Sequence, residues 1–328
     1  MATTSSQPHT DAPSQGRAVS AGKPAHAARR RRRSRVSARP LHLMLVPAIV
    51  LVLIYEYGPM FGIVMAFQDY VPAFGFFGSP WVGLDNFKFV LSLPNTPEVV
   101  WNTIFIAGMK IVAGLVAPIV TALLLNEVRR DVFRRSVQTA IYLPHFLSWV
   151  ILGGILIDLL SPTNGIVNDV LGLFGIDPIF FLGDNSWFPY TLVISDTWKE
   201  FGFATIVYLA AITTIDPTLY EVASVDGAGR IRRAWHITLP GMMPVVVLMA
   251  TLSLGNILNA GFEQVLVLYS PQVYENGDII DTFVYRMGLI DFQYSPAAAV
   301  GLFKSVVALV LLSTSYYLAY RFARYRIF

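Results

Sequence analysis

The sequence has no cysteine among its 328 residues. Without thiols the chain forms no disulfide, uses no cysteine nucleophile and offers no sulfur ligand to a metal. Its five histidines are scattered, with no pair at the spacing of metal ligands. A phosphate-binding G-x-x-x-x-G-K-[ST] loop is also missing, because the Gly22-Lys23 pair is followed by Pro24. We therefore expect no metal site, no cofactor and no ATP hydrolysis in this chain, so that any ATP would be bound by another polypeptide.

Charged residues are scarce as well, at 14% of the chain against about 25% in a typical soluble domain. Hydrophobic residues make up 55%. A membrane-spanning helix needs about 20 mostly apolar residues, and six segments qualify: roughly 43–67, 101–125, 137–160, 190–213, 241–267 and 295–321. The composition predicts an all-α integral membrane protein with six transmembrane helices within residues 41–328.

Basic residues are concentrated in every other connection between these segments, so that most of them fall on one side of the membrane. Arginine clusters precede the first span, separate the second from the third and the fourth from the fifth, and close the chain. The other connections are roughly 68–100, 161–189 and 268–294, and their only basic residues are Lys88 and Arg286. The positive-inside rule therefore predicts a multi-pass membrane protein with both termini and the 221–240 connection in the cytoplasm.

Residues 1–40 differ from the rest of the chain. They are rich in Ser, Ala, Pro and Arg and nearly free of large apolar side chains, which predicts a disordered, basic cytoplasmic tail. The run Arg29 to Arg33 also fits a nucleic-acid patch or a twin-arginine export signal. Its place before a first span favours a role in holding this end inside and touching anionic lipid.

The connection at about 214–240 predicts a helix-turn-helix. Asp216-Pro217 is a helix start, with a capping carboxylate and a proline at the first position, and the helix should continue to about Val225. Gly227 suits the following turn because glycine adopts positive φ without steric penalty. A second helical piece, with Arg230, Arg232 and Arg233, should lead to Pro240. Glu221 and Ala223 would then face whatever docks beneath the membrane, although an ordinary charged loop is the alternative.

Polar residues inside a span are costly and tend to face a bundle interior or a water-filled path. Ser253, Asn256, Asn259 and Glu263 are spaced to share one face of a continuous fifth helix. This stripe is the first candidate for a solute path, and hydrogen bonding between helices is the alternative.

Other intramembrane charges have weaker interpretations. Lys199 of the fourth span is either a solute ligand or a partner of Asp196, one helical turn earlier. The sequence assigns no role to Glu56, Lys110 or Lys304.

Residues 221–240 also resemble a known motif, the EAA loop of bacterial ABC importer permeases. The pattern E-A-A, D-G-A and I-x-L-P is matched in order by Glu221, Ala223, Asp226, Gly227, Ala228, Ile237, Leu239 and Pro240, with Val222 in place of the first alanine. The resemblance implies that Glu221, Ala223, Asp226 and Gly227 couple the chain to an ATPase.

From about residue 101 to the end, the chain resembles the carbohydrate-uptake class of these permeases, of the maltose-permease-like, oligosaccharide or uronate type. The cues are Tyr142-Leu143-Pro144, Trp198 to Phe203 and Ile215-Asp216-Pro217. The resemblance implies sugar contacts from Lys199, Gly202, Phe203, Asn256 and Asn259. It also implies a second similar permease subunit, a cytoplasmic ATPase dimer and an extracytoplasmic solute-binding protein.

The favoured function is therefore the permease subunit of an ATP-driven importer of a sugar or oligosaccharide. An ion-coupled secondary transporter or channel is the alternative, with the intramembrane charges as an ion relay. The loop at 221–240 separates the two, because a secondary carrier does not need it. A membrane scaffold is a third interpretation, which the polar stripe disfavours.

Overall fold

The computed structural model describes residues 39–323, so residues 1–38 of the predicted tail lie outside the described part of the chain. Within that part the protein is helical, with one isolated bridge between Gln68 and Trp81 and no β-strand. The all-α prediction is thus confirmed. The chain divides into two compact units, one ending at Gly58 and the other beginning at Pro59.

The helices follow one another with short connections. In chain order they are α1 (Arg39–Val52), α2 (Gly58–Met60), α3 (Gly75–Gly78), α4 (Asp85–Ser92), α5 (Thr96–Asn126), α6 (Asp131–Tyr142), α7 (Trp149–Leu159), α8 (Ile166–Leu173), α9 (Phe188–Thr213), α10 (Pro217–Val225), α11 (Arg230–Arg233), α12 (Leu239–Gly255), α13 (Phe262–Leu268), α14 (Tyr274–Gly277), α15 (Ile280–Tyr285) and α16 (Tyr294–Ala323). Short 3-10 or π-helical segments cover Leu53–Tyr57, Phe61–Phe67, Leu143–Phe146, Ala234–Thr238, Pro271–Val273 and Arg286–Ile290.

Several helices are long and apolar enough to cross a membrane. In the described residues four qualify alone: Leu43–Phe67, Thr96–Asn126, Arg230–Gly255 and Tyr294–Thr314. Two bent pairs qualify jointly, Asp131–Phe146 with Trp149–Leu159 and Phe188–Thr213 with Pro217–Val225. Counting each pair as one span gives six, the number that the sequence predicts.

The third predicted span, 137–160, is not one straight helix. The chain bends by 104° between Phe146 and Trp149. Pro144 lies in a 3-10 turn over Leu143–Phe146, and Ser148 caps the start of α7 by accepting a hydrogen bond from the backbone N–H of Ile151 at 3.4 Å. A proline without an N–H and a new N-cap together end one helix and begin the next.

The core of the second unit lies where α5, α7, α9 and α13 meet. Ile106, Leu152, Leu192 and Val265, one from each helix, are wholly buried there. Lipid tails are as apolar as these side chains, so moving them from lipid into the core gains no hydrophobic free energy. Such helices are held together by close packing and by hydrogen bonds between them. Gln264 supplies such bonds, since its buried amide donates to the Leu192 carbonyl and to Ser195 Oγ, both at 2.8 Å.

The fifth predicted span, 241–267, is broken, which makes the predicted polar stripe wrong as a single helical face. Helix α12 ends at Gly255, residues 256–258 form a turn, residues 259–261 are irregular, and α13 begins at Phe262. Gly261 has a φ of +93°, in the left-handed region that favours glycine. Asn256 and Asn259 therefore lie in the break, and Glu263 lies on a different helix from Ser253.

Helices α15 and α16 form an antiparallel hairpin. α15 continues through the π-helical segment to Ile290, and α16 begins at Tyr294. The fold-back brings Asp281 against Lys304, whose ammonium donates a hydrogen bond to the Asp281 carboxylate. A charge to which the sequence assigns no role is thus one half of an ion pair.

Candidate coupling loop and solute path

The first half of the 214–240 loop folds as predicted. The Asp216 carboxylate accepts a hydrogen bond from the Thr218 backbone N–H at 2.9 Å, and the helix that it caps runs over Pro217–Val225. This bond lowers the pKa of the Asp216 carboxyl because it stabilises the charged form. Helix α10 lies at 73° to α9, so it leaves the direction of the fourth span.

The turn after α10 also agrees with the prediction. Gly227 has a φ of +74°, and the Ala228 N–H donates to the Ala223 carbonyl at 2.8 Å. The Tyr220 and Thr238 hydroxyls share a hydrogen bond of 3.0 Å, which ties α10 to the residue just before α12.

The surface of this loop exposes several large apolar side chains beside its charged residues. Glu221, Asp226 and Gly227 are exposed, and Ala223 is half-buried. Around them Val225 is 88% and Ile231 86% exposed, with further exposure at Leu219, Val222 and Trp235. Exposed apolar clusters of this kind mark surfaces that bind a partner.

A second group of polar residues surrounds the break in the fifth span. Asn256 and Asn259 are exposed in the described part of the chain, and both line two adjoining cavities. The larger cavity, about 790 Å³, also contains Asp281 and Lys304 in its wall. The smaller, about 240 Å³, is lined by Lys110, Asp196 and Ser253 as well. The structure thus brings three of the four stripe residues together, although by a turn rather than by a helical face.

Glu263, the fourth stripe residue, is exposed and lines neither cavity. Glu263 is separated from the other three because α13 is a new helix that begins at Phe262, and its faces do not continue those of α12.

Lys110 holds the break in place. Its ammonium donates to the Ala260 carbonyl at 2.7 Å and to the Gln264 side-chain oxygen, and it lies 3.4 Å from the Asp196 carboxylate. The sequence carries no signal for this role, because Ala260 and Gln264 are 150 and 154 positions away from Lys110 along the chain.

Lys199 does not pair with Asp196, so that alternative is wrong. The Lys199 ammonium donates to Glu200 at 2.7 Å and to the His145 carbonyl at 3.1 Å. The residue is 7% exposed and packs over the Trp149 ring.

Gly202 and Phe203 have different surroundings. A Cβ on the buried Gly202 would lie 1.9 Å from the Ile141 carbonyl oxygen, so this glycine permits a close helix contact. The Phe203 ring is partly exposed and stacks on His145, with centroids 4.1 Å apart. None of the residues Lys199, Gly202 and Phe203 lines the two cavities at the break.

Comparison with known proteins supplies the class. Residues 114–326 match the family model described as "Binding-protein-dependent transport system inner membrane component". The chain belongs to this family. It is therefore a transport permease of the inner membrane with several spans, rather than an enzyme, and the family supports the importer interpretation over the ion-coupled alternative.

Individual relatives of the permease cover nearly its whole length. It is 42% identical over 287 residues to the polygalacturonan/rhamnogalacturonan transport system permease protein YteP of Bacillus subtilis (strain 168), covering 88% of this chain and 89% of the relative. A crystal structure of a bacterial ABC transporter involved in the import of the acidic polysaccharide alginate matches with a TM-score of 0.80 and 40% identity, over 87% of this chain and 96% of that one. A structure of a bacterial alginate ABC transporter in complex with an alginate pentasaccharide-bound periplasmic protein matches with a TM-score of 0.79 and 40% identity, over 87% and 95%.

Proposed function

We propose that this permease forms part of the membrane pathway of an ATP-driven oligosaccharide importer. The observation that carries the proposal is the break in the fifth span, which places two asparagines in the wall of two adjoining cavities. Amides hydrogen-bond sugar hydroxyls, and cavities of about 300–1,000 Å³ are typical of small-molecule sites. The relatives described above, whose names refer to the transport or import of polysaccharides, support the same class of solute.

The proposed ATPase contact is the exposed surface of α10 and its turn. Glu221 and Asp226 offer carboxylates, Ala223 offers a small surface for close approach, and Gly227 sets the direction of the turn. The surrounding apolar side chains, among them Val225 and Ile231, support this proposal because a partner subunit would remove them from water.

The proposed solute contacts rank differently from one another. Asn256 and Asn259 stand first because both line the cavities. Phe203 remains a candidate stacking surface, since its ring is partly exposed. Lys199, Gly202 and Glu263 are weaker candidates because Lys199 and Gly202 are buried in helix packing and Glu263 lies outside the cavities.

The proposed assembly follows the family pattern. Residues 1–40 form a basic cytoplasmic tail, residues 41–328 form the six-span domain with the coupling loop at 214–240, and both termini lie in the cytoplasm. The partners are a second similar permease, a cytoplasmic ATPase dimer and an extracytoplasmic solute-binding protein. The complex of a relative with an oligosaccharide-bound periplasmic protein supports the last of these.

Reconstitution tests the proposal. The permease, purified with its partner subunits and placed in proteoliposomes, is screened with oligogalacturonates, alginate oligosaccharides and maltooligosaccharides in the presence of the binding protein. We expect one of these sugars to stimulate ATP hydrolysis and to accumulate inside. Accumulation driven by an ion gradient without ATP would contradict the proposal and favour a secondary transporter.

A further inference from the structure

The larger cavity at the break contains one ion pair in a mostly apolar wall. Asp281 and Lys304 face each other across the α15–α16 hairpin, and their side chains are 24% and 21% exposed. The same wall contains Asn256 and Asn259, and the aromatic ring of Tyr285. A solute that hydrogen-bonds the two asparagines therefore lies in the same space as the Lys304 ammonium.

Lys304 retains hydrogen-bonding capacity that Lys110 lacks. A lysine ammonium has three N–H donors. Lys110 directs its donors to Ala260, Gln264 and Asp196. In the described part of the chain Lys304 donates only to Asp281, which leaves two N–H groups for a ligand in the cavity.

A carboxylate is the ligand that such a group favours. Hydrogen bonds between an ammonium and a carboxylate are charge-assisted and roughly twice as strong as those between neutral groups. They also gain strength where apolar walls exclude water. Asp281 fixes the position of Lys304 but uses only one of its three N–H donors, so the other two are available to a ligand carboxylate.

We propose that Lys304 determines specificity for acidic oligosaccharides, by donating hydrogen bonds to a uronate carboxylate while Asn256 and Asn259 contact the sugar hydroxyls. The inference rests on the proposed function and narrows its substrate class. Asp281 is a positioning residue in this scheme. The names of the relatives described above refer to import of the acidic polysaccharide alginate and to transport of polygalacturonan, which agrees with such a site.

Equilibrium binding to the permease complex tests this inference. The complex is purified without the solute-binding protein, so that only the selectivity of the membrane subunits is measured. The probes are radiolabelled trigalacturonate and its fully methyl-esterified form, which has the same rings and no charge. We expect the unmodified complex to bind the acid at least tenfold more tightly than the ester.

Substitutions locate the preference. Lys304→Gln should reduce the acid-to-ester affinity ratio about tenfold without weakening ester binding, whereas Lys304→Arg should retain the preference. Lys88→Gln is the control, because Lys88 pairs with Asp85 on an exposed surface away from the cavity. Asp281→Asn should raise the ratio, since it removes the carboxylate that competes for Lys304. This second variant decides the matter if Lys304→Gln does not assemble.

Three results would overturn the inference: equal affinity of the unmodified complex for the two probes, an unchanged ratio in Lys304→Gln, or an unchanged or lower ratio in Asp281→Asn. The proposed function would survive each of them, because sugar-stimulated ATP hydrolysis tests it separately. If no sugar stimulates ATP hydrolysis, the proposed function itself fails.

Discussion

A single glycine sets the geometry of the candidate coupling loop. Gly227 has a φ of +74°, and a Cβ added there would meet no atom within 4 Å. Backbone conformation, not crowding, therefore explains the need for glycine at this position. Left-handed backbone costs about 1–2 kcal/mol for a residue with a Cβ, and a β-branched residue is a genuine outlier there.

We expect Gly227→Val to leave membrane insertion intact, to reduce the amount of ATPase that copurifies with the permease, and to abolish uptake. Gly83→Val is a matched control, because Gly83 has a φ of +64° and equally open surroundings in a different segment. That variant should keep the ATPase bound. Equal loss of ATPase in both variants would show that general instability, and not the turn, is responsible.

The asparagines of the break are the second set of single residues with a predicted effect. Asn256 donates weakly to the Leu252 carbonyl in the last turn of the adjoining α12 at 3.4 Å, so its amide does not tie two helices together. Losing one hydrogen bond to a solute costs about 0.5–1.5 kcal/mol. Asn256→Ala and Asn259→Ala should therefore reduce uptake severalfold or change solute preference, while basal ATP hydrolysis persists.

Gln264→Ala is the contrast for these variants. Its amide is buried between α13 and α9 and makes two hydrogen bonds at 2.8 Å, so its loss should lower the yield and thermal stability of the complex. Uptake per assembled complex, measured on the same reconstituted samples, separates the two effects. A double Asn256→Ala, Asn259→Ala variant with normal rate and selectivity would move the solute path to another surface, such as that around Phe203.

At the scale of elements, the broken fifth span depends on a residue of a different helix. Lys110 of α5 satisfies the Ala260 carbonyl, which the turn leaves without a helical partner. Its ammonium also lies close beside Gly261, since a Cβ there would be 2.7 Å from the Lys110 nitrogen. One cation thus supplies a hydrogen bond to the break and leaves no room for a side chain at position 261.

Lys110→Met should lower the thermal unfolding midpoint of the purified complex. Removing one partner of a buried pair costs about 3–5 kcal/mol, because the other is left uncompensated. Lys88→Met is the control, since the exposed Lys88–Asp85 pair should contribute about 0–1 kcal/mol. Similar midpoints for the two variants would contradict the role assigned to Lys110.

The sequence predicts the helices of this protein better than their interruptions. Long apolar segments and local capping signals such as Asp216-Pro217 identify α5, α9, α10 and α16 because all the information is within a few neighbouring residues. The break after Gly255 cannot be predicted from neighbouring residues in this way. Residues 256–261 remain apolar enough to pass for a span, and the cation that stabilises their turn comes from α5.

The candidate site shows the same division. Positions 253, 256 and 259 do meet in one cavity, but the helical period that predicts this meeting also includes Glu263, which the break removes. The partners of Lys304 and Lys110 could not be predicted, because each is a tertiary contact with a segment distant in sequence.

At the scale of the whole molecule, orientation in the membrane is the property to measure first. The chain is free of cysteine, so introduced thiols report without background. Ser186 and Ser224 are both exposed and lie on opposite sides in the predicted topology. Ser186→Cys should react with an impermeant maleimide in intact cells, and Ser224→Cys only after permeabilisation. Reversed labelling would place the coupling loop outside and exclude its contact with a cytoplasmic ATPase.

The hydrogen bond between Tyr220 and Thr238 has a mechanical consequence for the molecule. Thr238 immediately precedes α12, and α12 ends at Gly255, beside the two asparagines. This hydrogen bond links α10 directly to the start of α12, so a displacement of α10 would move α12 with it. With 17 residues, α12 spans about 25 Å. A small tilt at the Leu239 end of α12 would thus displace Asn256 at the cavity wall.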